Sequence, residues 1–147
     1  MVPSTPELER SPVNDAVFAY LDPVGPSPPG RERDPYFETG HHPDIVERVW
    51  RDLGADLPEN ARCRANGNPV LAHRASGAVI VFPRGTSYAL WLPPRARDEC
   101  DLPTRHTWGN GTTTDLTDVV GDGWRWGRFD AREPGWCTAA YRSYEGG

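Results

Sequence analysis

The sequence predicts an α+β fold: an antiparallel meander sheet packed with an amphipathic helix and a C-terminal helix, preceded by a proline-rich extended arm. Three observations predict it. One stretch after position 40 repeats its apolar residues at helical spacing. Strand-like runs then follow one another through tight turns instead of alternating with helices, which favours α+β over a parallel α/β sheet. Finally, the 16 prolines crowd the first half of the chain. At 147 residues, 37% of them hydrophobic, there is material for one core and not two. The expected division is an extended arm over residues 1–40 and one α+β domain over 41–147.

The arm is justified by Val2-Pro3-Ser4-Thr5-Pro6 and by Pro23-Val24-Gly25-Pro26-Ser27-Pro28-Pro29-Gly30. Proline lacks the N–H and fixes φ, so neither stretch holds a helix or a central strand. Between them lies a short apolar strip, with Val17, Phe18, Tyr20 and Leu21 as its anchors. It either packs back on its own domain or docks on a partner as a linear motif.

The first helix begins at Pro43, a residue suited to the first helical position, with Asp44 at the positive end of the macrodipole. Ile45, Val46, Val49, Trp50 and Leu53 form its apolar stripe, and Gly54 suits a left-handed stop. Asp44 with Arg48 and Glu47 with Arg51 stand at i,i+4 on the other side. A meander follows. Residues 61–65 and 70–73 flank Asn66-Gly67, the strongest two-residue hairpin signal. Ala78-Val79-Ile80-Val81-Phe82 is apolar on both faces and reads as a buried central strand. Pro83-Arg84-Gly85 turns the chain into a strand over 87–92, ended by Pro93-Pro94. Further on, a short helix is expected over 94–101, edge strands over 104–108 and 111–114, and a brief helix capped by Thr114 or Asp115. Trp124-Arg125-Trp126-Gly127-Arg128-Phe129 alternates and predicts a last strand. Pro134 then opens a closing helix with Trp136, Ala139, Ala140, Tyr141 and Tyr144 on its inner side. The helix, the meander and a strand closing on Leu90-Trp91-Leu92-Pro93 resemble small α+β domains of the competence-regulator and YjbR type. That resemblance rests on pattern and not on functional residues, so no activity follows from it.

Composition excludes some partners. The net charge of −5 disfavours a nucleic acid, whose phosphates need a basic face, and an anionic membrane surface. No apolar run approaches the roughly 20 residues of a membrane span. Every basic residue is arginine and lysine is absent, which suits a GC-rich coding sequence more than a purpose. Cys63, Cys100 and Cys137 form no C-x-x-C, and no signal peptide opens the chain, so reduced thiols in a cytoplasm are expected. The arginines near Cys63 and Cys100 would lower a thiol pKa, though inert thiols are the commoner outcome.

Several groups are candidates for chemistry. Glu38, His41, His42 and Asp44 gather imidazoles and carboxylates that suit a divalent metal, but at no usual ligand spacing; helix capping by His42 or Thr39 is the plainer reading. His73 and His106 fall in strands, where a half-buried histidine with one hydrogen bond is usual. The turn Arg84-Gly85-Thr86 has the composition of an anion-holding loop and equally of a hairpin. No nucleophile elbow is present, so a hydrolytic triad has no support. Trp124, Arg125, Trp126 and Arg128 interleave indoles with guanidinium groups. Exposed, they make an interface hot spot or, with Trp108, a stacking platform for a ligand; buried, they fill the core. The reading that follows is a non-enzymatic interaction module that binds another protein and needs no cofactor. A small enzyme or metal-binding protein using His41 and His42 is the second reading, and a ligand-binding aromatic platform the third.

Overall fold

The computed structural model describes residues 6–21, 42–109 and 111–145. The proline run at 23–30, Glu38 and His41 lie outside them. Five strands form one antiparallel sheet: β1 (Arg62–Ala65), β2 (Asn68–His73), β3 (Ala78–Arg84), β4 (Ser87–Trp91) and β7 (Trp124–Trp126), in that spatial order. Between β4 and β7 the chain makes α3 (Pro94–Glu99), a separate ribbon of β5 (Arg105–Thr107) and β6 (Thr113–Asp115), and α4 (Leu116–Val119). It closes with α5 (Glu133–Ser143).

Turn chemistry sets the register. Asn66 at φ 50° and Gly67 at φ 78° both adopt left-handed backbone, as a type I′ hairpin requires, and pair Ala65 with Asn68. Gly85 at φ 58° makes the β3–β4 hairpin, pairing Arg84 with Ser87. The strand therefore runs two residues beyond Phe82, through Pro83 and Arg84, where the sequence suggested a turn.

The central strands β2, β3 and β4 are buried on both faces and feed two cores, whereas β1 and β7 contribute to the second alone. Ile45, Val49, Leu53, Ile80, Leu90, Trp136 and Cys137 belong to one. Val17, Phe18, Leu21, Phe82, Ala89, Trp108, Leu116 and Trp126 belong to the other. Ala139 was expected on the inner side of the closing helix; it is exposed, and Cys137 is buried in that role.

The first domain helix departs from its expected form. α2 (Pro43–Glu47) widens into a π-turn at Arg48–Asp52, where the Leu53 N–H reaches back to the Arg48 carbonyl at 2.9 Å. Ile45, Val49 and Leu53 still face inward, but Arg48 does too, at 9% exposure. Its carboxylate partners are Asp52 at 3.6 Å and Glu133 at 2.9 Å, and not the expected Asp44. The Glu47–Arg51 pair forms at 3.2 Å. Gly54 is not left-handed. Its lack of a side chain matters because a Cβ there would meet the Trp50 carbonyl at 2.7 Å.

The described part of the leading stretch, residues 6–21, is not an extended arm. At the β1 edge the Leu8 N–H donates to the Arg64 carbonyl and the Arg64 N–H to the Pro6 carbonyl, and α1 (Asp15–Tyr20) lies against the second core. Val17 and Phe18 at 4% and Leu21 at 1% exposure are as buried as the strands. Amide side chains fasten the strip. Asn14 Nδ2 donates to Gly77 at 2.8 Å, Asn66 Nδ2 to Phe18 at 2.9 Å and Asn68 Nδ2 to Leu21 at 3.2 Å, in each case to a carbonyl. The prolines predict extension locally. Burying four apolar side chains, each stabilising by about 1.5–3 kcal/mol, outweighs that preference.

Candidate functional site

The best-organised polar constellation is buried where the π-turn, β4 and the start of α5 meet. Glu133 is fully buried at the first position of α5. Its Oε1 accepts from Arg48 Nη2 at 2.9 Å and from the Tyr88 hydroxyl, and its Oε2 accepts from the Arg128 N–H at 2.7 Å. The Tyr88 hydroxyl accepts in turn from the Phe129 N–H at 2.7 Å and from Arg48 Nε at 3.3 Å. Arg48 Nη2 also reaches the Asp130 carbonyl at 3.0 Å. Burial, reinforced by the neighbouring Glu133 carboxylate, drives the Tyr88 phenol far above its ordinary pKa, so it stays a neutral donor. Burial acts to lower the pKa of Arg48, but its hydrogen bonds to Tyr88 and Glu133 prevail and raise it.

This network fixes an unusual surface residue. Phe129 has φ 56°, a left-handed conformation that bulky side chains rarely take, yet the residue is 56% exposed. The ring stands edge-on to Tyr88 at 5.3 Å and 5.3 Å from the Arg48 guanidinium carbon. Gly127 is what permits the approach beneath it, since a Cβ there would overlap the Tyr88 ring. Arg128, one of the expected interface residues, is exposed beside Phe129 and has no ion pair among the described residues.

The other expected contacts are placed differently. Val17, Phe18 and Leu21 are buried and Tyr20 is half-buried. Trp124 at 5% and Trp126 at 1% exposure fill the core, with Trp108 edge-on to Trp126 at 5.7 Å. Their rings offer no open stacking platform; Arg125 is half-buried. Arg84 donates to the Tyr20 carbonyl at 3.2 Å and covers the Tyr20 ring at 4.5 Å, so its guanidinium ties α1 to the hairpin, with Gly85 buried and Thr86 exposed.

His42 caps α2: its Nδ1 accepts from the Asp44 N–H at 3.1 Å, leaving Asp44 exposed. Glu38 and His41 fall outside the described residues. Among the described residues, no three His, Cys, Asp or Glu side chains gather as a metal would require. His73 is buried, with its Nδ1 2.8 Å from the Ser76 hydroxyl. Arginines do not activate Cys63; burial pushes its thiol up to about 11 and that of Cys137 higher still. Among the described residues no helix is long and apolar enough to cross a membrane.

Sequence reasoning missed Tyr88, Phe129 and Glu133. Nothing local marks the glutamate before Pro134 for burial, and no local signal marks a phenylalanine for left-handed backbone. No family model, no curated protein and no solved structure matches the chain, and its functional reading rests on this geometry.

Proposed function

We propose that this chain is a protein-interaction module whose contact surface is centred on Phe129 and Arg128. The observation that carries the reading is the exposed, left-handed Phe129, held by the Tyr88 hydroxyl above a buried charged network. Backbone in such a region costs about 1–3 kcal/mol and persists only when its surroundings over-determine it. A rigid ring presented with its conformational entropy already spent is suited to anchor a partner, and aromatic residues and arginine dominate interface hot spots. The complementary partner carries an apolar recess for the ring and a carboxylate for Arg128.

Phe129→Gly separates binding from folding. Glycine accepts the left-handed backbone without strain, so relief of φ offsets the lost ring contact and stability changes by no more than about 1 kcal/mol. A partner captured by the wild-type chain is expected to bind Phe129→Gly at least tenfold more weakly by calorimetry. Equal affinity for both chains, or capture of nothing by the wild type, overturns the reading.

A further inference from the structure

A cavity of about 180 Å³ opens among α1, the start of β3, the end of β4 and the C-cap of α5. The half-buried Trp91 and Tyr144 supply aromatic walls, the core residue Trp124 borders them, Val17 and Val79 add aliphatic ones, and Asp122 is the one carboxylate among the described lining residues. Asp122 is exposed and has no ion pair among the described residues. We propose that this cavity binds a compact alkylammonium group.

The argument is one of complementarity. An ammonium is drawn to the negative face of indole and phenol rings, more strongly as it is desolvated, and a nearby carboxylate adds a charge of the right sign. Trp91 already shows this chemistry: the Arg97 guanidinium carbon stands 5.5 Å from its ring, held by an Nε–H bond to the Leu92 carbonyl at 2.6 Å. The chain contains no lysine, so the guanidinium of Arg97, and not an ammonium, is its own cation at Trp91. The volume suits a methylated ammonium head, since drug-sized ligands occupy about 300 Å³ or more. Such a head belongs either to a free small amine or to a lysine side chain on another protein. The site shares no residue with the Phe129 surface and stands or falls separately from it.

Tetramethylammonium chloride, titrated against sodium chloride at matched ionic strength, is the first probe, read by tryptophan fluorescence. The expected result is a saturable change in the wild type, weakened at least tenfold in Asp122→Asn, a surface substitution that leaves the fold intact. Arg97→Ala removes the competing cation beside Trp91 and should tighten binding several-fold, an effect that general damage would not produce. A trimethyl-lysine peptide compared with its norleucine counterpart then identifies the source. Preference for the trimethyl-lysine peptide over tetramethylammonium assigns a protein side chain, and the reverse assigns a free amine. No saturable change in the wild type, or equal binding by wild type and Asp122→Asn, overturns the proposal.

Discussion

On one face of the sheet α5 is fastened by a carboxylate, with Glu133 buried against Arg48 and Tyr88. On the other, α1 is fastened by the neutral amides of Asn14, Asn66 and Asn68. Both devices satisfy backbone or side-chain groups that burial has removed from water, but they differ in what remains when one partner is lost. A severed amide leaves unpaired dipoles. Loss of the carboxylate leaves the nearly buried Arg48 guanidinium with only the longer contact to Asp52, at 3.6 Å, to balance its charge. The difference also bears on function, because only the charged device extends to a strained surface residue, Phe129.

The largest effect should come from Glu133→Ala. Breaking a buried ion pair from one side costs about 3–5 kcal/mol, and here the Tyr88 hydroxyl and the Arg128 N–H lose their acceptor as well. Urea denaturation measures it. Replacing both charges, as in Arg48→Met with Glu133→Leu, should restore much of the loss, since well-packed apolar substitutes are often neutral. A single substitution costing less than about 1 kcal/mol would break the distinction between the two faces.

Asn14→Ala should cost less, about 1–3 kcal/mol, by leaving the Glu9 and Gly77 carbonyls and the Ser11 N–H without their partner. The loss is local, so amide exchange should quicken at Phe18 and Leu21 while Val81 stays protected. Uniform acceleration across the sheet would instead make the strip and the sheet one cooperative unit.

The smallest effect sharpens the second face by pH. His106 sits among aromatic rings, 4.4 Å from Trp108 and 5.3 Å from Trp126, and burial holds its pKa below the ordinary 6.5. The unfolded chain therefore takes up this proton first. Stability from this group is fully present above about pH 6.5 and declines as pH falls from there through the folded value. Asp52, hydrogen-bonded to Arg51, and Asp115, hydrogen-bonded to Arg105, are held below 3.8, so their share is lost only in stronger acid. In urea titrations between pH 7.5 and 5, His106→Leu should flatten the decline; an unchanged slope would remove His106 as its source.

Much of the fold was legible because its signals are local. Asn66-Gly67 determines a hairpin through the backbone conformations those two residues tolerate. The apolar run through Val79 and Ile80 determines a strand buried on both faces, and Pro134 early in α5 marks where that helix begins. The site was less legible. Arg48 lies at helical spacing from both Asp44 and Asp52, and periodicity alone does not choose between them. The π-turn and a glutamate 85 positions away do.

The sequence by itself determined the α+β class, the strand order of the meander and the residues able to cap, turn or fill a core, because each depends on neighbours within a few positions. Only the tertiary structure decided which groups are inside. It turned Phe18 and Trp126 inward and left Phe129 on the surface, because burial depends on which distant element covers a side chain. That covering comes from packing free energy summed over the whole sheet, and no short window of residues contains it.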